Sequence, residues 1–282
     1  MLQFSIVEQV ILAVFLLSGI TFFLYHLLLR LKIVLKGKSD FSVDELPKRI
    51  IRVFDEVILH KKVVSGDRKS AGILHALVMY GFIFFGLITI NHFGMAFGFP
   101  IFSESFRHTY FLIFGAPWAI LCTIGILGLA YRRFVIKPEA LGKFSSTSAL
   151  VSVFIVTLMT TYLIDELHIL SGAAEKFNWW LHSGVIGGFL FLIPQSKHMH
   201  LVLSPFNIFL RPFEVPNHGA IPIDMEASEE ELDNLLLDLS RLSKDQALDI
   251  FTCVECGRCT EVCPANRGGG ILDPKYHFIL DL

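Results

Sequence analysis

Five stretches of this chain run for 20 residues or more without an Asp, Glu, Lys or Arg: Val10–Leu29, Ser70–Ser103, Thr109–Tyr131, Phe144–Ile164 and Phe177–Ser196. A bilayer crossing needs about 20 predominantly apolar residues. Each stretch therefore predicts one crossing. The second, at 34 residues, is longer than one crossing needs. Composition points the same way. The chain of 282 residues is 53% hydrophobic and 18% charged, contains 27 Phe, and has a mean hydropathy of +0.60. An ordinary soluble domain carries more charge than this. The first stretch is not expected to be a cleaved leader, because no basic residue precedes it and it is longer than such a segment requires. The fold class expected is an all-α membrane protein, a five-helix bundle.

Charge is divided unevenly. Residues 1–212 hold 19 basic and 12 acidic residues, and residues 213–282 hold 5 basic and 14 acidic. A basic membrane part thus precedes an acidic, polar tail. No basic patch interleaved with aromatics occurs, which argues against a nucleic-acid partner. Eleven Lys and Arg lie between residues 30 and 69, and Arg132, Arg133, Lys137 and Lys143 follow the third span. The alternate connections carry only Arg107 and Lys176. Basic residues accumulate in cytoplasmic loops, so the N-terminus is expected outside and the C-terminus in the cytoplasm of an inner-membrane, multi-pass protein. Between the first two spans, Ile50, Val53, Phe54, Val57 and Ile58 recur at helical spacing. They predict a helix over 44–62 that lies on the inner surface or packs on the tail.

Several of the 11 histidines fall inside the spans. Ionisable residues there are costly and are functional candidates by default. Neutral imidazole is a usual axial ligand of haem iron. The absence of C-x-x-C-H excludes covalent attachment and leaves a non-covalent b haem. His182 and His200 are 18 residues apart, five turns of a continuous helix and about 27 Å of rise. His198 would face nearly opposite, and Pro194 between them can bend the helix. In the second span, His75 stands near the inner end and His92 near the outer end. Two b haems are expected, one between His75 and His200 and one between His92 and His182. His108 and His168 remain alternatives to His92, because His75 and His92 lie about 100° off a common stripe. Gly86, almost on the His75 face, would leave room for a porphyrin. His26, His60, His218 and His277 are expected at the surface or the boundary.

Four of the five cysteines, Cys253, Cys256, Cys259 and Cys263, form C-x2-C-x2-C-x3-C followed by Pro264. Such clustering argues for ligation over structural disulfides. Zinc would favour two separated C-x-x-C pairs, which are absent. The spacing is that of a ferredoxin run, in which three cysteines bind one 4Fe-4S cubane and the fourth ligates another cluster. Cys122, alone in an apolar span, is expected to be a buried small hydrophobe.

The stretch CVECGRCTEVCPANRGGGILDPKYHFILDL resembles the first cluster motif of heterodisulfide reductase-related proteins and of iron–sulfur proteins like those of anaerobic glycerol-3-phosphate dehydrogenase. The stretch WWLHSGVIGGFLFLIPQSKHMHLVLSPFNIFLRP resembles the cytochrome b (gamma) subunit of respiratory nitrate reductase. The resemblance implies a gamma-like cytochrome b domain over 1–212, an acidic linker and short helix over 213–248, and a partial, α-helical ferredoxin-type domain over 249–282. It also implies two b haems on histidines of the second and fifth spans, electron exchange with membrane quinone, and a cytoplasmic iron–sulfur or cysteine-rich catalytic partner. Family members continue into a second cysteine motif. This chain is therefore expected either to be completed by another polypeptide or to be truncated. Asp165, Glu166 and His168, at the outer end of the fourth span, are candidates for quinone contact or proton release, or are plain interfacial residues. In the linker, Leu232, Leu235, Leu236 and Leu239 predict a short helix with Ser228 as its cap. The rivals to an electron conduit are a redox-inactive scaffold, which would bind neither haem nor cluster, and a redox sensor, which would need an output domain.

Overall fold

The computed structural model describes residues 2–37, 45–65, 68–213, 226, 228, 242–271 and 273–275. The predicted linker helix at 232–239 lies outside them, as do His218 and His277. Among the described residues the structure is helical and contains no β-strand. The long charge-free windows fold as helices, the form that satisfies every backbone N–H and C=O within one segment.

The helices are α1 (Ile6–Val34), α2 (Leu46–Val53), α3 (Lys61–Val64), α4 (Lys69–Ala96), α5 (Glu104–Tyr110) and α6 (Ala116–Tyr131). They continue with α7 (Ser146–Glu166), α8 (Ala173–Leu192), α9 (His200–Leu210), α10 (Lys244–Phe251), α11 (Arg258–Val262) and α12 (Pro264–Arg267). Wider π-helical turns extend α2 over Phe54–Ile58, join α5 to α6 over Phe111–Gly115, and extend α6 over Arg132–Ile136. Four helical stretches among the described residues are long and apolar enough to cross a membrane: Ile6–Val34, Lys69–Ala96, Glu104–Ile136 and Ser146–Glu166. They coincide with four of the five predicted spans. The fifth window is helical as α8 but is not among them, and Glu175, Lys176 and Asn178 crowd its first turns.

The chain divides into two compact units. One comprises residues 1–23 and 60–192. Within it α4 packs on α6, α6 on α7, and α7 on α8. Small residues set these spacings, as they do where helices associate without a hydrophobic drive. A Cβ on Gly81 would lie 2.9 Å from Cys122 Sγ, and one on Gly125 would lie 2.7 Å from the Leu74 carbonyl oxygen. Cys122 is buried with Phe111, Ala119, Met159 and Tyr162, as expected of a small hydrophobe. A second cluster joins Leu12 of α1, Ala96 of α4 and Trp179 of α8. A Cβ on Gly187 would collide with the Phe15 ring, so α1 approaches α8 only because that side chain is missing. The two cations expected on the outer side are both paired: Arg107 lies 3.1 Å from Glu166 and Lys176 lies 2.7 Å from Glu8.

The other unit comprises residues 24–59 and 193–282. The helix predicted over 44–62 forms from Leu46, with Pro47 in its first turn, but ends at Ile58. Arg49 is only 2% exposed. Its guanidinium donates to the Phe209 and Arg211 carbonyl oxygens at 2.7 and 3.2 Å and to Glu45 at 2.6 Å. It thereby satisfies carbonyls orphaned at the end of α9. Ile50, Ile51, Phe54 and Ile58 of the same segment remain exposed. That leaves an apolar face suited to an interfacial position.

Candidate functional site

His92 of α4 and His182 of α8 meet in the first unit. Their ring centroids lie 5.0 Å apart and the planes are inclined by 57°. Trp179, one turn before Ser183, stacks on His92 at 4.7 Å with an interplanar angle of 14°. His92 Nε2 lies 2.9 Å from the hydroxyl of Ser183, which is fully buried. His182 Nδ1 lies 2.7 Å from Thr161 Oγ1. The Thr161 hydroxyl has one proton, and its shortest contact to a fixed acceptor is the Thr157 carbonyl at 2.7 Å. A hydroxyl that donates there can only accept from the imidazole. With the hydroxyl donating to Thr157, His182 carries its proton on Nδ1 and its lone pair on Nε2. A ligating histidine is held in this way, its other ring nitrogen donating to a fixed oxygen.

His92 and His182 are the residues that would hold a haem iron here, and two in-line metal–imidazole bonds of about 2 Å would require the rings to move apart from their 5.0 Å centroid spacing. His92 would exchange Ser183 for the metal. The alternatives to His92 are placed differently: His108 and His168 are both exposed. Gly86 has open space around it, with nothing within 4 Å of an added Cβ, at an exposed position of α4.

The expectation that His182 and His200 share one helix is corrected. Helix α8 ends at Leu192, and tight 3-10 turns follow at Ile193–Gln195 and Lys197–Met199. Ser196 between them is extended, and His200 begins α9. Pro194 removes a backbone donor where the helix would have continued. The five-turn argument for His200 over His198 therefore fails. A different observation distinguishes them. His200 Nδ1 donates to the Lys197 carbonyl oxygen at 2.7 Å, which fixes its lone pair on Nε2. His198 Nδ1 instead lies 3.1 Å from the Ser196 hydroxyl.

His60 was expected at the surface or the boundary and is buried, 6% exposed. Its Nε2 lies 3.1 Å from Nδ1 of His75. Periodicity could not reveal this pairing, because His60 sits beyond the end of the α2 segment in a left-handed turn (φ 53°).

The cysteines lie in the second unit, which positions them from both sides. Helix α10 starts with a capping box between Ser243 and Gln246. It docks on α9 through Asn207, whose amide donates to Asp249 at 2.8 Å and Thr252 at 3.2 Å. Cys253 follows directly. Positive φ at Glu255 (55°) and Gly257 (75°) curls the chain between Cys253 and Cys259. The Glu255 N–H donates to Cys253 Sγ at 3.4 Å, the kind of bond that tunes cluster thiolates. Lys197 clamps the loop through Glu255 at 2.9 Å. Burial pushes the Cys253 thiol up, and the neighbouring Cys256 and Cys259 sulfurs act in the same direction. Cys263 closes α11, and Pro264 opens α12. Among the described residues, no three His, Cys, Asp or Glu side chains converge as a ready-made metal site. The donor set suits an iron–sulfur cluster, and the loop carries its thiols on separate turns.

Asp165, Glu166 and His168 lie together at the end of α7, and Asp165 feels the charge of both Glu166 and His168. Glu166 is engaged by Arg107. His168 is exposed, in a left-handed conformation (φ 50°), with its backbone N–H on the Asp165 carbonyl.

No family model matches the chain, and no solved structure matches it. Two curated proteins are similar to it. A probable iron-sulfur-binding oxidoreductase, FadF, of Bacillus subtilis (strain 168) is 31% identical over 285 aligned positions, which cover 89% of this chain and 39% of that protein. An EtfAB:quinone oxidoreductase of Syntrophomonas wolfei subsp. wolfei is 24% identical over 95% of this chain and 42% of its own length. The chain thus spans about two fifths of the relatives it matches. It is related to iron–sulfur oxidoreductases.

Proposed function

We propose that this chain is the membrane-embedded electron-transfer part of a quinone-linked iron–sulfur oxidoreductase. It would hold two b haems and the first ligands of a 4Fe-4S cluster, and would carry electrons between membrane quinone and a cytoplasmic iron–sulfur partner. The observation that carries the reading is the pair His92 and His182, brought to 5.0 Å between apolar helices. His75 and His200 are the further axial-ligand candidates in this reading. Cys253, Cys256, Cys259 and Cys263 are the cluster ligands. The cofactors supply the one-electron chemistry; the protein supplies ligands, their orientation and a low dielectric. Relatedness to an EtfAB:quinone oxidoreductase supports quinone as the membrane reactant. The asymmetry of Lys and Arg supports an external N-terminus and a cytoplasmic cysteine loop.

Glu166, neutralised by Arg107, is suited to holding the helix ends together. Asp165, half-buried without an ion-pair partner among the described residues, is the better candidate for proton exchange at a quinone.

The test is a haem assay on the detergent-purified chain, by pyridine haemochrome stoichiometry and a reduced-minus-oxidised spectrum. Two b haems per chain are expected. Protein made with ample haem supply that binds none would overturn the reading and leave a scaffolding subunit.

A further inference from the structure

The His60–His75 contact is not used by the reading above, and its geometry is specific. The ring planes differ by only 20°, and the centroids are 5.3 Å apart. That separation is close to the 3.1 Å N···N distance plus the two ring radii. The rings therefore meet edge to edge in nearly one plane, rather than face to face. In that arrangement an N–H points along the neighbouring lone pair.

The chain goes to some trouble to make this contact. His60 adopts φ 53°, a left-handed conformation that is strained for a non-glycine residue. The short helix α3 then turns back against α4. A Cβ on Gly72 would collide with the Val63 carbonyl oxygen, so the two helices approach this closely only at a glycine. His75 lies three residues beyond Gly72, on the same side of α4. The close crossing and the left-handed turn together deliver His60 to His75.

We infer that His60 is a positioning residue that fixes the tautomer of His75 and raises the basicity of its Nε2 toward haem iron. The inference rests on His75 being an axial ligand. Iron on Nε2 requires the proton of His75 on Nδ1. That nitrogen then donates to His60 Nε2, which accepts. An acceptor of this kind makes a ligating imidazole more electron-rich. A more basic ligand favours ferric over ferrous haem, so His60 lowers the midpoint potential of the haem that His75 holds.

The experiment is a potentiometric titration of the haem spectrum, with EPR of the ferric state, on the purified full chain and its His75→Ala, His60→Ala, His60→Asn and His60→Asp variants. His75→Ala is expected to lose one of two haems; retention of both would show that the ligand assignment itself is wrong. With that control satisfied, His60→Ala should keep both haems, shift one midpoint positive and move one set of low-spin g values. Asn, which tolerates the left-handed turn and offers a weaker acceptor, should fall between Ala and wild type. Asp, a stronger acceptor, should lie below wild type. If His60→Ala does not assemble, the Asn–Asp order decides the matter. Midpoints and g values that stay constant across the series, or that do not follow acceptor strength, would overturn the inference.

Discussion

The histidine sites of the first unit and the cysteine loop of the second are built on opposite principles. His92 and His182 are brought together by the packing of long apolar helices. Their rings are already half-buried and engaged, His92 by Trp179 and Ser183 and His182 by Thr161. The thiols sit on short turns stapled at a few points, by Asn207 and Lys197, and do not converge. Imidazole sites can be prepared by apolar packing, because neutral rings are tolerated in an apolar interior. Thiolates repel one another, and a cubane needs all its ligands at one corner set. Such a site is completed by ligation itself.

That contrast sets the order of effects. The largest is expected at the thiols: Cys256→Ser or Cys259→Ser should abolish the cluster, read as loss of iron and acid-labile sulfide, while haem content stays unchanged. Treatment with a chelator should do the same without altering far-UV circular dichroism. A fall in helicity on chelation would mean that the cluster organises far more of the chain than its loop. Next, His182→Ala should remove one b haem and leave the cluster intact. A haem count that survives this change would dissolve the contrast, since the packed pair would then hold nothing. Smaller is the effect of overpacking. Gly187→Ala forces the Phe15 ring out of its place and should destabilise the first unit by about 1–3 kcal/mol, measured as a lower midpoint of thermal unfolding in detergent with haem stoichiometry kept. The smallest is expected at the staple. Lys197→Gln breaks a partly exposed ion pair worth about 1 kcal/mol or less. It should raise amide exchange over residues 253–263 while leaving α8 unaffected.

Much of the membrane unit was legible before any coordinates. Charge-free windows marked α1, α4, α6 and α7, because lipid leaves a helix as nearly the only way to satisfy a backbone. The buried role of Cys122 followed from its setting. The ferredoxin-like spacing marked the cysteine loop, since ligand spacing along a chain is a local property. Relatedness to iron–sulfur oxidoreductases agrees with it.

What periodicity misread is equally instructive. It extended α8 through Pro194 to His200, and it gave no sign that His60 is buried against His75. Both errors concern the ends of helices, where a proline, an extended serine or a left-handed turn changes direction within one or two residues. The sequence by itself determined that this chain carries long apolar helices, a set of histidines within or beside them and a ferredoxin-like cysteine spacing, because composition and local spacing encode these. Only the tertiary structure decided which imidazole meets which: His92 with His182 rather than His108 or His168, and His75 with His60. Such meetings depend on close helix crossings at Gly72 and Gly187 and on where helices stop, and neither is a periodic property of the chain.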